Sequence, residues 1–400
     1  MQELSRKKKS LFWLTLLGLL SLFCEIASWG TLALLAGLRG LEYAPVPAAE
    51  LLPKHKAAIQ RLLDDSSGFL MHSPILGWEP RPDTARRYRI NRQGLRGDQD
   101  YAAEPDPRRV RIVTFGDSFT FGAQVPRAFT FQEQMMELEP VVEVLNFGVP
   151  GYGLDQAFLR YQESGVGFRS HIVFIGFLSE NIHRVVNVFR PFYFRKTRLP
   201  LTKPRFLIRF GRLVVAENPL PELSDYRELL EDPEPALRRI GAHDYFFHRK
   251  MRASRGDFLP SVRLVRLAAQ ELFPREDILK DGYYNTEGEA YRVTAAIIDA
   301  FYAMVAEKGS VPVVVIFPDR EDIYRYRENG TREYQPLLEH LRARGYRHLD
   351  LMEAFDTFGR DHAVRELTRI HYTGFGNRCV ARYMVDYLRA HDLIRTRSLP

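Results

Sequence analysis

The sequence predicts an α/β protein: a parallel sheet covered on both faces by helices, with one membrane-spanning helix ahead of it and a long inserted segment within it. Three observations predict this. Short, apolar, β-branched runs alternate with amphipathic helical stretches from Val110 to residue 183, and again from about residue 285 onward. That is the rhythm of strand–helix–strand units. Leu11 to Leu38 is almost wholly apolar. Between residues 184 and 284 the rhythm stops, and a basic, aromatic stretch takes its place.

The 400 residues suffice for a large core and one main domain with additions. Apolar (45%) and charged (27%) fractions are those of a globular protein, which sets disordered and fibrous classes aside. The net charge of +7 is modest for this length and does not indicate a nucleic-acid partner. There is no zinc-type Cys or His spacing and no Gly-rich phosphate loop, so no metal and no cofactor is expected. The two cysteines, Cys24 and Cys379, fall in the apolar run and in the last helix and are not expected to pair.

At the start, Arg6-Lys7-Lys8-Lys9 precedes the apolar run and Arg39 alone follows it. The run exceeds the roughly 20 residues a membrane helix needs. The stronger basic flank keeps the N-terminus cytoplasmic and sends the bulk outside, as in a single-pass membrane protein. A cleavable signal would be shorter and end in a small-residue site. A lipid attachment at Cys24 is disfavoured by Phe23 before it. A buried soluble helix is disfavoured by the basic flank. Glu25 inside the run is either a functional acid or one displaced toward the interface.

Residues 41–109 read as a stalk and lead-in. Pro45 and Pro47 come first, then a helix from Pro53 to Leu63. Leu76-Gly77-Trp78-Glu79-Pro80 follows. In Arg87-Tyr88-Arg89-Ile90-Asn91 the alternation predicts a short strand or hairpin. Asp98 to Arg108 is a polar linker. The core then opens with the strand Val110–Phe115, continues with a helix over 129–138, a strand over 142–147, a helix over 154–163 and a strand over 171–177. It resumes with a helix over 287–308, a strand over 311–317, a helix over 335–344, a strand over 346–351 and a closing helix over 374–390. In the insertion, Arg184, Arg190, Arg195, Lys196, Arg198, Lys203, Arg205, Arg209 and Arg212 are interleaved with Phe189, Phe192, Tyr193, Phe194, Phe206 and Phe210. Residues 184–212 are either a surface for an anionic glycan or lipid head groups, or a solvated face whose aromatics pack inward under Arg stems. Glu217 to Glu234, acidic and Pro-rich, reads as loop.

The first core strand ends in Gly116-Asp117-Ser118-Phe119-Thr-Phe-Gly122. Gly116 permits a tight turn, and Ser118 falls just past the strand's carboxyl end, where open α/β sheets place their ligand crevice. The residues alone are equally those of a strand-ending turn. Three further blocks follow: Asn146-Phe-Gly148-Val-Pro-Gly151-Tyr-Gly153, Ile175-Gly176-Phe-Leu-Ser-Glu180-Asn181, and Thr368-Arg369-Ile370-His371. Taken singly, Gly151 is a Pro-Gly turn residue, Asn181 a helix cap and His371 a structural histidine.

Taken in order, the four blocks resemble the signature of the SGNH/GDSL hydrolases, over residues 110–181 and 311–390. The anchored layout is similar to membrane-bound bacterial members related to polysaccharide O-acyl esterases and acyltransferases. The resemblance implies a three-layer αβα fold with a parallel, flavodoxin-like sheet. It implies Ser118 as nucleophile, His371 as base, and Gly151 and Asn181 as oxyanion donors. Two departures stand out. Extra residues separate Gly176 from Asn181. Thr368 stands where the family carries the acid that orients the base, leaving Asp361, Glu366 or a carbonyl as substitutes. The expected organisation is an anchor over 1–40, lead-in over 41–109, core over 110–183 and 285–395, and insertion over 184–284. The expected activity is hydrolysis of O-acyl esters on carbohydrate outside the cytoplasm. An acyltransferase and a non-catalytic scaffold of a polysaccharide complex are the alternatives.

Overall fold

The computed structural model describes residues 6–39, 51–64, 68–85, 88–247, 255–272 and 278–394. Its centre is a five-stranded, fully parallel sheet. Across the sheet the strands run Val142–Asn146, Val110–Phe115, Ile172–Leu178, Val311–Phe317, His348–Asp350. Numbered along the chain, that order is 2-1-3-4-5, the flavodoxin-like arrangement, and it reverses between Val110–Phe115 and Ile172–Leu178. Both strands are buried along their whole length, which is why they read as mainly apolar runs.

The side-chain period of two sends alternate residues to two separate cores. Val113, Phe115, Val173, Ile175, Val314 and Ile316 join one cluster with the helices Leu154–Glu163, Glu289–Glu307 and Gln335–Ala343. Ile112, Ile172, Phe174, Val313 and Val315 join the other, with the helices Phe131–Leu138, Leu351–Phe358 and Gly374–Ala390. Each large apolar side chain so buried contributes about 1.5–3 kcal/mol. The result is the expected αβα sandwich.

Several segments depart from expectation. Glu217 to Glu234 is not simply loop: helices Asp225–Glu231 and Pro233–Ile240 occupy its end and bury Tyr226, Leu229, Leu237 and Ile240. Pro233 opens the second helix, a position whose N–H needs no partner, so proline there starts structure instead of breaking it. Helix Arg320–Asn329 follows the fourth strand. The last strand is only three residues long, because the Asp350 carboxylate accepts from Met352 N–H and starts the helix Leu351–Phe358. Over its described part, the stretch expected as a stalk lies against the body. Helix Pro53–Asp64 buries His55 and Ile59, and the His55 ring bonds the Thr197 carbonyl at 3.1 Å. Pro45, Pro47 and Arg87 lie outside the described residues. The lead-in forms two short hairpins, Leu70–Ser73 with Gly77–Pro80 and Thr84–Ala85 with Arg89–Ile90.

The N-terminal helix runs Arg6–Arg39, and Lys7–Leu38 is long and apolar enough to cross a membrane. Glu25 meets a partner. Its carboxylate accepts from Ser261 N–H at 2.9 Å and from Ser261 Oγ–H at 2.5 Å, in the first turn of helix Pro260–Leu272. An acid placed there satisfies backbone donors that a helix start leaves open.

Candidate active site

The sheet order reverses between the first and third strands, so the loops leaving those strands diverge and leave a crevice between them. Ser118 leaves the first strand and Asn181 the third. Ser118 begins a single helical turn, Ser118–Phe121. Asp117 caps it: Oδ1 accepts from Phe119 N–H at 2.9 Å. Gly122, at φ +73°, closes the turn in the left-handed region, where a side chain would meet Thr130 and Arg96.

His371 arrives from the far end of the chain. Its Nε2 stands 2.9 Å from Ser118 Oγ, across 253 residues of sequence. The short loop carrying it is held at both sides. Thr368 bridges to Tyr372, the Tyr372 hydroxyl donates to the Pro318 carbonyl at 2.8 Å, and Thr373 caps the closing helix by accepting from Gly376 N–H. The ring also lies against Phe119, centroid to centroid 5.0 Å. For Nε2 to accept the serine proton, the neutral ring carries its own proton on Nδ1.

The second loop is tied to the first by Asn146, whose Oδ1 accepts from Gly148 N–H and whose Nδ2 donates to the Phe121 carbonyl. Gly151 has φ +87°, and a Cβ there would sit 2.7 Å from Leu199, 3.4 Å from Trp78 and 3.5 Å from Arg190. No other residue fits that backbone. Trp78 is itself held by its indole N–H on the Pro150 carbonyl at 3.0 Å.

Asn181 opens the short helix Asn181–Arg184 in the third loop and is wholly buried. Neither its amide nitrogen nor its oxygen has a hydrogen-bond partner. Buried polar atoms left in this state are uncommon, and each calls for an explanation such as a catalytic role. Three residues on, Arg184 joins the loops. It donates to Asp117 Oδ2 at 3.1 Å and to the Tyr152 carbonyl at 2.8 Å, and pairs with Glu180. Burial pushes the Asp117 carboxyl upward, and the Arg184 guanidinium opposes it. Composition had grouped Arg184 with the basic insertion. Its spacing from Asn181 was the available signal that it belongs to the site.

The three residues considered as orienting partners sit in different surroundings. Asp361 is exposed. Glu366 reaches back to Ala363 N–H at 2.8 Å and closes its own helical turn. Thr368 is fully buried with its hydroxyl unpaired. Both acids sit on the short helix 364–367 and the turn before it, where local capping and solvent claim them. Among the described residues, no cluster of His, Cys, Asp and Glu could hold a metal ion.

The basic insertion divides. Lys203 is buried on Asp155, and Arg205 pairs with Glu289. Lys196, Arg198, Arg209 and Arg212 are exposed, and Arg195 is half-buried.

No protein-family model matches the chain, and no curated protein sequence does. Solved structures resemble it weakly. A GDSL-like lipase from Bacteroides thetaiotaomicron is 10% identical with a TM-score of 0.34, covering 72% of this chain and 91% of its own. LAE5, an alpha/beta hydrolase enzyme from the metagenome of Lake Arreo, is 12% identical with a TM-score of 0.35, covering 72% and 96%. A Desulfitobacterium hafniense protein described as lipolytic and of the G-D-S-L family is 11% identical with a TM-score of 0.34, covering 70% and 99%. At this identity and these TM-scores the likeness decides neither family nor activity.

Proposed function

We propose that the chain is a membrane-anchored serine esterase of the SGNH/GDSL type, acting on O-acyl esters of carbohydrate outside the cytoplasm. The observation that carries this reading is the 2.9 Å contact between Ser118 Oγ and His371 Nε2 at the sheet's switch point. Support also comes from the four sequence blocks, which converge on one crevice. His371 takes the Ser118 proton as Oγ attacks the acyl carbonyl. The carbonyl oxygen gains negative charge, for which the Ser118 and Gly151 N–H groups and the idle Asn181 amide are the candidate donors. One such donor is worth roughly 2.7–4 kcal/mol in the transition state. His371 then returns the proton to the leaving alcohol, and water resolves the acyl-serine by the same route in reverse. If a sugar hydroxyl reaches the acyl-serine before water, the same site is an O-acyltransferase.

One observation favours a different reading. Thr368 provides no charge behind His371, and in the serine-protease triad removing that acid costs about 10⁴-fold in rate. A non-catalytic scaffold for polysaccharide would tolerate this. The deciding experiment follows hydrolysis of p-nitrophenyl acetate by the full chain in detergent, beside its Ser118→Ala and His371→Ala variants. Loss in both variants is the expected result. Hydrolysis unchanged by Ser118→Ala, or absent from folded wild type that still binds polysaccharide, overturns the esterase reading.

A further inference from the structure

Arg190 differs from the buried cations among the described residues. Arg184 is bonded to two acids and a carbonyl, Lys203 to Asp155, Arg205 to Glu289 and Arg111 to Glu143, while Arg96 and Arg160 donate to backbone carbonyls. The Arg190 side chain has no hydrogen bond or ion pair with any described residue, and its Nε is shielded from solvent with no acceptor. The guanidinium leans over the rings of Tyr193 and Phe194, 5.9 and 5.8 Å from their centroids. Its Nη1 lies 3.5 Å from where a Cβ on Gly151 would stand, which places it on the wall of the crevice. The acids facing it are Asp117 and Glu180. Both hold Arg184, and Glu180 also accepts from the Tyr193 hydroxyl at 2.8 Å. Their charge reaches Arg190 through space, while its own N–H fork stays unspent.

A planar fork of donors with no protein acceptor, beside a proposed oxyanion donor, matches a carboxylate or a phosphate in geometry and charge. We propose that Arg190 binds an anionic group, a carboxylate or a phosphate, on the molecule whose ester reaches Ser118. This makes the substrate an acylated anionic glycan in preference to a neutral one, and it rests on the esterase reading of Ser118. It also relocates the anion contact suggested by the basic run, from the exposed cations to the one beside Gly151 whose fork is unspent.

Binding tests this without turnover. In the full chain carrying Ser118→Ala, calorimetric titration would compare glucuronate, glucose 6-phosphate and neutral glucose. One of the two anions is expected to bind at least tenfold more tightly than glucose, in line with a charge-assisted hydrogen bond to a guanidinium. Preference for glucuronate assigns a carboxylate, and preference for glucose 6-phosphate a phosphate. Adding Arg190→Met should weaken that anion at least tenfold and leave glucose unaffected. Should Arg190→Met fail to fold, Arg190→Lys keeps the charge, loses the fork, and should weaken the anion severalfold. Anions binding no better than glucose, or binding unchanged in the Arg190 variant, overturn the proposal. Failure of the esterase reading appears separately, as ester hydrolysis indifferent to Ser118→Ala.

Discussion

In the crevice at the carboxyl ends of the strands, Asn181 lies buried with both amide atoms unpartnered, and Ser118 Oγ meets the His371 ring. In the insertion that follows, Lys203 and Arg205 are equally buried, but each is matched to an acid. The first region keeps its polar groups in reserve. The second spends them on holding the insertion to the sheet: Asp155 belongs to the core helix Leu154–Glu163 and Glu289 to the core helix Glu289–Glu307. Both regions look polar in sequence. What separates a site from a scaffold here is whether the buried group is already satisfied, because an unsatisfied one costs stability unless a ligand or a reaction uses it.

Changes to the two regions should therefore fail differently. Ser118→Ala or His371→Ala should lower kcat for p-nitrophenyl acetate by roughly 10⁴-fold or more while thermal unfolding stays near wild type. Where the insertion is held to the core, Asp155→Ala strands the buried Lys203 cation and should cost about 3–5 kcal/mol in denaturant unfolding. Equal losses of activity and stability in both sets would break the contrast. Asn181→Ala sharpens it: kcat should fall roughly 10²–10³-fold with no loss of stability, since the amide makes no bond in the resting protein.

A smaller effect concerns Asp322, which accepts from Ser179 just after the third strand. Burial, then the neighbouring Asp319, pushes its carboxyl up to about 7. The folded state thus favours the protonated acid. Its contribution to stability is complete below about pH 4 and disappears as pH rises through about 7. A melting series over that window should show a decline that Asp322→Asn flattens. Smallest of all, replacing Arg195, Lys196 and Arg198 with Ser should shift stability by no more than about 0.5 kcal/mol per site. Retention on anionic glycan or lipid supports should weaken if those cations form an outer binding surface, and unchanged retention removes that role.

Much of the fold was legible because it rests on local pattern. Ile172–Leu178 has no polar side chain, and Val110–Phe115 is broken only by Arg111 and Thr114, as suits strands buried on both faces. Helices 154–163 and 374–390 carry enough amphipathic period to be bounded correctly. Helix Pro233–Ile240 was missed because proline and acid density mimic a loop, while its burial depends on partners elsewhere in the chain. Within the candidate site, Ser118, Gly151, Asn181 and His371 stand out in the sequence through their order, Ser118, Gly151 and Asn181 also through their positions after strands. Arg190 was not distinguishable from Arg195 or Arg198, since all three sit in one basic run.

By itself, then, the sequence determined the αβα layering, the parallel sheet and the apolar N-terminal helix. Those properties follow from hydrophobic period and turn chemistry, which act over a few neighbouring residues. Only the tertiary structure decided that His371 meets Ser118, that Glu25 meets Ser261, that Glu366 closes its own helical turn, and which cations of the basic run are paired, exposed or set beside Gly151. Those outcomes depend on burial and on partners tens to hundreds of residues away, where local pattern carries no information about which charge meets which.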